Sequence, residues 1–189
     1  MPDVCFYFQV HQPFRLHPYG VFDIGKSSDY FVEAARRVLE KEPDVTFVMA
    51  GQGDMLPRMI ERAAELGLGR RMLFPGFVDR DRAAALYESA DVFVMPSVSE
   101  PFGIVPLEAM DRGVPVIVSR QSGVGELLAN VLKVDFWDVN DLASKIISAL
   151  RYPCLSDELR ERGRQEVNRI SWDRVAERLE GLYREMTHA

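Results

Sequence analysis

Four short apolar runs, at residues 45–50, 72–74, 91–95 and 115–118, alternate with longer segments of helical period. Each run is too short for a helix, shows no inside–outside alternation, and stops at glycine, proline or serine: Gly51, Pro75, Pro96 and Ser119. Strands buried on both faces have this texture, and such strands must be covered above and below. Between them, residues 30–41 put Phe31, Ala34, Ala35, Val38 and Leu39 on one stripe. Residues 56–66 do the same with Leu56, Met59, Ile60, Ala63 and Leu66, and Gly67 closes the helix. Residues 81–89 and 104–112 predict two shorter helices, the second stopped by Gly113. This alternation predicts an α/β fold in three layers, an open parallel sheet with helices on both faces. Closing helices are expected at 141–150, 157–168 and 171–186. The last starts at a Ser171 cap and packs through Trp172, Val175, Ala176, Leu179, Leu182, Tyr183 and Met186.

The first 28 residues depart from that pattern. Residues 4–10 read as a strand able to join the sheet edge, and 11–28 as a long loop with two prolines and two histidines in its first half. The expected organisation is therefore an atypical strand and loop at 1–28 and one α/β domain at 29–189. The chain is 47% hydrophobic and 28% charged, enough apolar material for one real core. A net charge of -6 argues against a nucleic-acid surface. It leaves anionic small molecules open, because backbone N–H groups and one or two local cations can hold phosphate. Cys5 and Cys154 form neither a disulfide framework nor a zinc pattern, so no metal is expected. The apolar stretch 4–10 is too short to span a bilayer and has no basic leader, which places the expected location in the cytoplasm.

Chemistry concentrates in residues 97–108, Ser-Val-Ser-Glu-Pro-Phe-Gly-Ile-Val-Pro-Leu-Glu, which leave a predicted strand and enter a helix. Open α/β sheets bind ligands beyond the carboxyl ends of their strands. Gly103 permits close backbone approach, and free N–H groups of Gly103, Ile104 and Val105 at the helix start attract a phosphate. Glu100 precedes the helix and Glu108 lies just over one turn into it, so two carboxylates bracket whatever lies over that start. Each can accept the paired hydroxyl donors of a sugar or ribose. A helix-initiating loop with incidental acids is the plainer reading, and residue chemistry alone leaves both standing.

Glu100 and Glu108, set within Ser-Glu-Pro-Phe-Gly-Ile-Val-Pro-Leu-Glu-Ala-Met, resemble the signature of the retaining family-four glycosyltransferases, which include sucrose, trehalose and glycogen synthase relatives. The likeness continues through Gly-Val-Pro-Val-Ile-Val-Ser at 113–119 and Gly-Val-Gly-Glu at 123–126, and it covers residues 29–188. Upstream, residues 44–53 resemble the family's strand and Gly-x-Gly turn, with Gly51 and Gly53 as its glycines. The resemblance implies a Rossmann-like domain, one half of a two-domain GT-B architecture. Its donor substrate would be a nucleotide sugar, UDP- or ADP-glucose-like, with no further cofactor. By motif position, Glu100 would hydrogen-bond the donor sugar, and backbone amides around Phe102, Gly103, Ile104 and Val105 would hold sugar and diphosphate. Glu108 would bind the ribose diol. Lys26, just ahead of the first helix, would neutralise the departing diphosphate, making Glu100 and Lys26 the catalytic pair. Arg80 or Arg82 would face the nucleotide beside the loop at 76–79, or serve as surface charge. Ser122 and Gly123 would line the base or phosphate region, or cap a helix, and Glu126 would orient or cap.

Two stretches depart from the family. A Gly-Arg pair normally supplies a second phosphate-binding cation before the lysine; here Gly20-Val21 stands in its place, and Arg15 substitutes only if its loop folds back. Residues 4–16 and 19–25 resemble instead the start of a family-57 glycoside hydrolase, whose sugar site would include His11, Gln12 and Pro13. That family's catalytic carboxylates lie beyond the part followed here, and the switch near residues 29–31 reads as a junction of two carbohydrate-enzyme pieces. Only the donor half of the transferase is represented, so the expectation is an incomplete enzyme. It would bind donor, and transfer hexose with retention only if an acceptor domain were supplied. Expected partners are a nucleotide sugar, an acceptor-domain protein or a second copy, and a glucan acceptor, with no nucleic acid and no membrane span. Competing readings are a non-catalytic nucleotide- or carbohydrate-binding remnant and a fragment linked to α-glucan hydrolysis or branching. A dinucleotide dehydrogenase is disfavoured, since no Gly-x-Gly-x-x-Gly opens a helix.

Overall fold

The computed structural model describes residues 3–7, 24–97, 103–170 and 172–187. Its strands are β1 (Asp3–Tyr7), β2 (Thr46–Ala50), β3 (Met72–Gly76), β4 (Val92–Met95), β5 (Val116–Ser119) and β6 (Leu132–Val134). The helices are α1 (Ile24–Leu39), α2 (Leu56–Glu65), α3 (Arg80–Ser89), α4 (Ile104–Asp111), α5 (Gly123–Leu127), α6 (Val139–Arg151), α7 (Pro153–Val167) and α8 (Trp172–Thr187). All strand pairs are parallel and the sheet order is β3-β2-β1-β4-β5-β6. The chain winds outward from β1 in one direction and then crosses to β4 and winds in the other. The switch point therefore falls between β1 and β4, and the crevice at their carboxyl ends is where a sheet of this topology takes ligands.

Strand periodicity separates two cores. Val92 and Val94 of β4 point into one layer, formed with Phe31 and Val38 of α1, Met59 and Ala63 of α2, and Leu142 and Ile146 of α6. Phe93 and Met95 point into the other, with Ala83 and Tyr87 of α3, Ala109 and Met110 of α4, and Val124 of α5. Every residue of β4 and β5 is buried, as a strand covered on both faces requires. The predicted α1 stripe packs as expected, with Phe31 edge-on to Phe47 at 5.9 Å between ring centroids.

Several expectations are corrected. The N-terminal strand lies inside the sheet, not at its edge: Val4 pairs with Phe47 on one side and Val92 on the other. Helix α1 starts at Ile24, so residues 24–28 are helical and α1 runs across the boundary expected at residue 28. Two elements went unpredicted, the five-residue α5 and the three-residue β6. Helix α7 starts earlier than expected, at Pro153, whose fixed φ and missing N–H suit a first helical turn. Ile60, placed on the α2 packing stripe, is 45% exposed, while Met59 and Ala63 do the burying. On α8 the described part of the stripe expected to pack, Ala176, Leu179, Leu182, Tyr183 and Met186, is open to solvent, and the side chains of Trp172 and Val175 lie outside the described residues. Ser171, its expected cap, and residues 8–23, including His11, Arg15 and Val21, lie outside the described residues.

Candidate functional site

Where β4 ends at Met95, the chain enters the segment singled out in the sequence and emerges as α4. Gly103 forms the N-cap of α4 with φ 72 and ψ 95, a backbone state that side-chain-bearing residues avoid. Its identity is thus fixed by geometry. Beyond it, Ile104 is exposed and Pro106, Ala109 and Met110 are buried, so one face of α4 is anchored in the core. Glu100 and Phe102 lie outside the described residues.

A cleft of about 690 Å³ runs between α3 and α4, within the ~300–1,000 Å³ usual for small-molecule sites. Its upper wall is the β3–α3 connection, Phe77 to Arg80, facing Ile104, Val105 and Glu108 of α4; its lower end holds Tyr87, Asp111 and Arg112, with Val167 and Ile170 beyond. Phe77 and Ile104, both lining the cleft, are 57% and 64% exposed. Asp79 caps α3 by accepting from the Arg82 N–H at 2.9 Å. Of the two arginines proposed near this loop, Arg80 lines the cleft and Arg82 does not.

Glu108 is held from the side by residues the sequence did not single out. The Tyr87 hydroxyl donates to Glu108 Oε2 at 3.4 Å, and Arg112 Nη1 donates to the Glu108 carbonyl at 3.3 Å. The Tyr87 ring packs against Phe93 at 5.8 Å and carries the Arg112 guanidinium 5.7 Å from its centroid. One signal for Tyr87 was available: it falls four residues after Ala83 on the buried side of a predicted helix, and a buried tyrosine hydroxyl needs a partner.

Other candidates lie apart from this cleft. Gly51 and Gly53 line a shallow depression with Ser28 of α1, on the turn from β2 to α2. Lys26 is in the first turn of α1, not ahead of it, and its side chain lies outside the described residues. Ser122 is fully buried and caps α5: its hydroxyl donates to the Ser119 carbonyl at 2.7 Å and accepts from the Gly125 N–H at 3.1 Å. Its side chain is thus committed inside the turn. Glu126 is an exposed acid in the first turn of α5.

Glu166 of α7 secures the segment between α5 and β6. It accepts from the Ala129 N–H at 2.8 Å and from the Asn130 N–H and side-chain amide, each at 2.9 Å. Burial pushes its carboxyl up, but these donors and the nearby Lys133 outweigh that and hold it below the usual glutamate value. Among the described residues, no cluster of His, Cys, Asp and Glu could hold a metal ion, and no helix is long and apolar enough to cross a membrane.

A family model describing glycosyl transferases of group 1 matches residues 12–166. An uncharacterized glycosyltransferase of Methanocaldococcus jannaschii is 33% identical over 164 residues, 84% of this chain and 42% of that protein. The sucrose-phosphate synthase of Thermosynechococcus elongatus superposes with a TM-score of 0.77 and 28% identity, over 99% of this chain and 46% of its own. TarM of S. aureus, solved in a complex that includes UDP, shares the fold with a TM-score of 0.78 at 20% identity, over 96% of this chain and 35% of its own. The chain spans less than half the length of each of these proteins.

Proposed function

The chain belongs to the group 1 glycosyltransferases, and from that premise we propose that it binds the nucleotide-activated sugar donor at the mouth of the α3–α4 cleft. The observation that carries this reading is Glu108: a carboxylate in the second turn of α4, lining a cleft of ligand size next to a helix start capped by a glycine at positive φ. In this reading Glu108 accepts from the ribose diol and Arg80 offers a cation at the same mouth. The amides of Phe102, Gly103, Ile104 and Val105 hold the diphosphate, and Glu100 hydrogen-bonds the sugar. Lys26 neutralises charge on the leaving diphosphate, and the turns at Gly51, Gly53, Ser122 and Gly123 contribute backbone to the same sheet edge. The donor is a UDP- or ADP-glucose-like molecule.

Transfer with retention, to a glucan or other acceptor, requires a domain that holds the acceptor against the donor in a water-poor cleft. The exposed stripe of α8 offers an apolar face for such a partner, or for a second copy. A second reading, donor binding without turnover, is favoured by Val21 at the position where the resemblance places a phosphate-binding arginine. Calorimetric titration with UDP, ADP and their glucose conjugates tests donor binding. Glu108→Ala should weaken it by about tenfold or more, the usual cost of losing hydrogen bonds to a charged group. An unchanged affinity overturns the role of Glu108. Assay of sugar transfer by the same protein then separates the two readings.

A further inference from the structure

We propose that Tyr87 is a positioning residue that aims the Glu108 carboxylate at the ribose of a bound nucleotide, an inference that rests on the donor-binding reading above. A glutamate on a cleft wall has three side-chain torsions and no fixed direction unless something holds it. Here the holder comes from across the cleft. Tyr87 is on α3 and Glu108 on α4, and the tyrosine hydroxyl meets Oε2 at 3.4 Å. Tyr87 as a whole is 2% exposed. Its ring is fixed by the edge contact with Phe93 and by the Arg112 guanidinium over its face, so the hydroxyl has a defined position from which to donate. Arg112 also donates to the Glu108 carbonyl, tying the cation that covers the ring to the helix turn that bears the acid. With Oε2 engaged by one donor, Oε1 and the remaining lone pairs still accept the two adjacent hydroxyls of a ribose. Such outer partners fix the orientation of a ligand-binding group without touching the ligand.

Tyr87→Phe removes the hydroxyl and keeps the ring and both of its contacts, which makes it the informative variant. Wild type, Tyr87→Phe, Glu108→Ala and the double variant are titrated calorimetrically with UDP and ADP and with their 2′-deoxy forms. The 3.4 Å contact is long for an O–H···O bond, so Tyr87→Phe should weaken ribonucleotide binding by about three- to tenfold. It should add nothing once Glu108 is alanine, and it should leave the already weaker binding of the 2′-deoxy forms nearly unchanged. Full affinity in Tyr87→Phe, while Glu108→Ala loses it, overturns the positioning role and leaves donor binding intact. So does an equal loss with and without Glu108, because that is the mark of a packing role. No loss in Glu108→Ala, or no binding of either nucleotide by the wild type, counts against the donor reading and this inference together.

Discussion

A β-carbon on Gly125 would lie 2.4 Å from the Ser119 carbonyl oxygen and 2.9 Å from the Ser122 hydroxyl. The carbonyl belongs to the backbone where β5 turns into α5, so it cannot swing aside as a side-chain tip would. Ser122 is equally constrained, since its hydroxyl bridges that same carbonyl and the Gly125 N–H. Gly125→Ala should therefore cost about 1–3 kcal/mol of stability through overpacking, read from urea unfolding; a shift in midpoint too small to resolve would contradict the close approach. Individual residues differ in how far the sequence exposed them. The place of Glu108 in the second turn of α4 was legible because a carboxylate just inside a helix start is a local pattern. Gly103 was singled out for close backbone approach, and the positive φ of its cap gives the glycine a separate backbone reason. Tyr87 was not, because its partner sits on another helix and only packing brings the two together.

Among the elements, α7 has a reach beyond its own packing, because Glu166 holds the connection from α5 to β6 through three donors. A carboxylate held below its unfolded value stabilises the fold fully above that value and loses the contribution as pH falls through the lower native one. Glu166→Gln should thus lower the thermal midpoint at neutral pH, and its gap from wild type should close as pH drops below 4.5. A gap that persists unchanged into acid would show that charge plays no part. The stripe of α1 was readable from its helical period, and β4 and β5 from runs that are apolar throughout. Two other elements were not. β6 has three residues with Lys133 in the middle, and α5 has two glycines in five positions, so neither carries a period to detect. Their existence is decided by neighbours, β6 by pairing with β5 and α5 by the Ser122 cap.

For the molecule as a whole, sequence order and spatial order disagree most at β1. Composition and run length revealed an apolar strand there, but sheet position depends on which other strands are available to pair, which no local window contains. Lying between β2 and β4, β1 joins the two halves of the sheet. A variant lacking residues 1–8 should leave β3-β2 and β4-β5-β6 as separate groups with unpaired backbone at both new edges. Circular dichroism on heating should then show no cooperative transition, whereas a sharp wild-type-like melt would mean the centre can close without β1. The same arrangement bears on how the chain comes to fold as it is made. Asp3 to Tyr7 leave the ribosome before either strand that flanks them, yet Val4 needs both Phe47 and Val92 before its two flanks are filled. The first strand of this sheet to be synthesised must wait longest for its second neighbour, and during that interval one of its flanks is open to whatever extended segment arrives first.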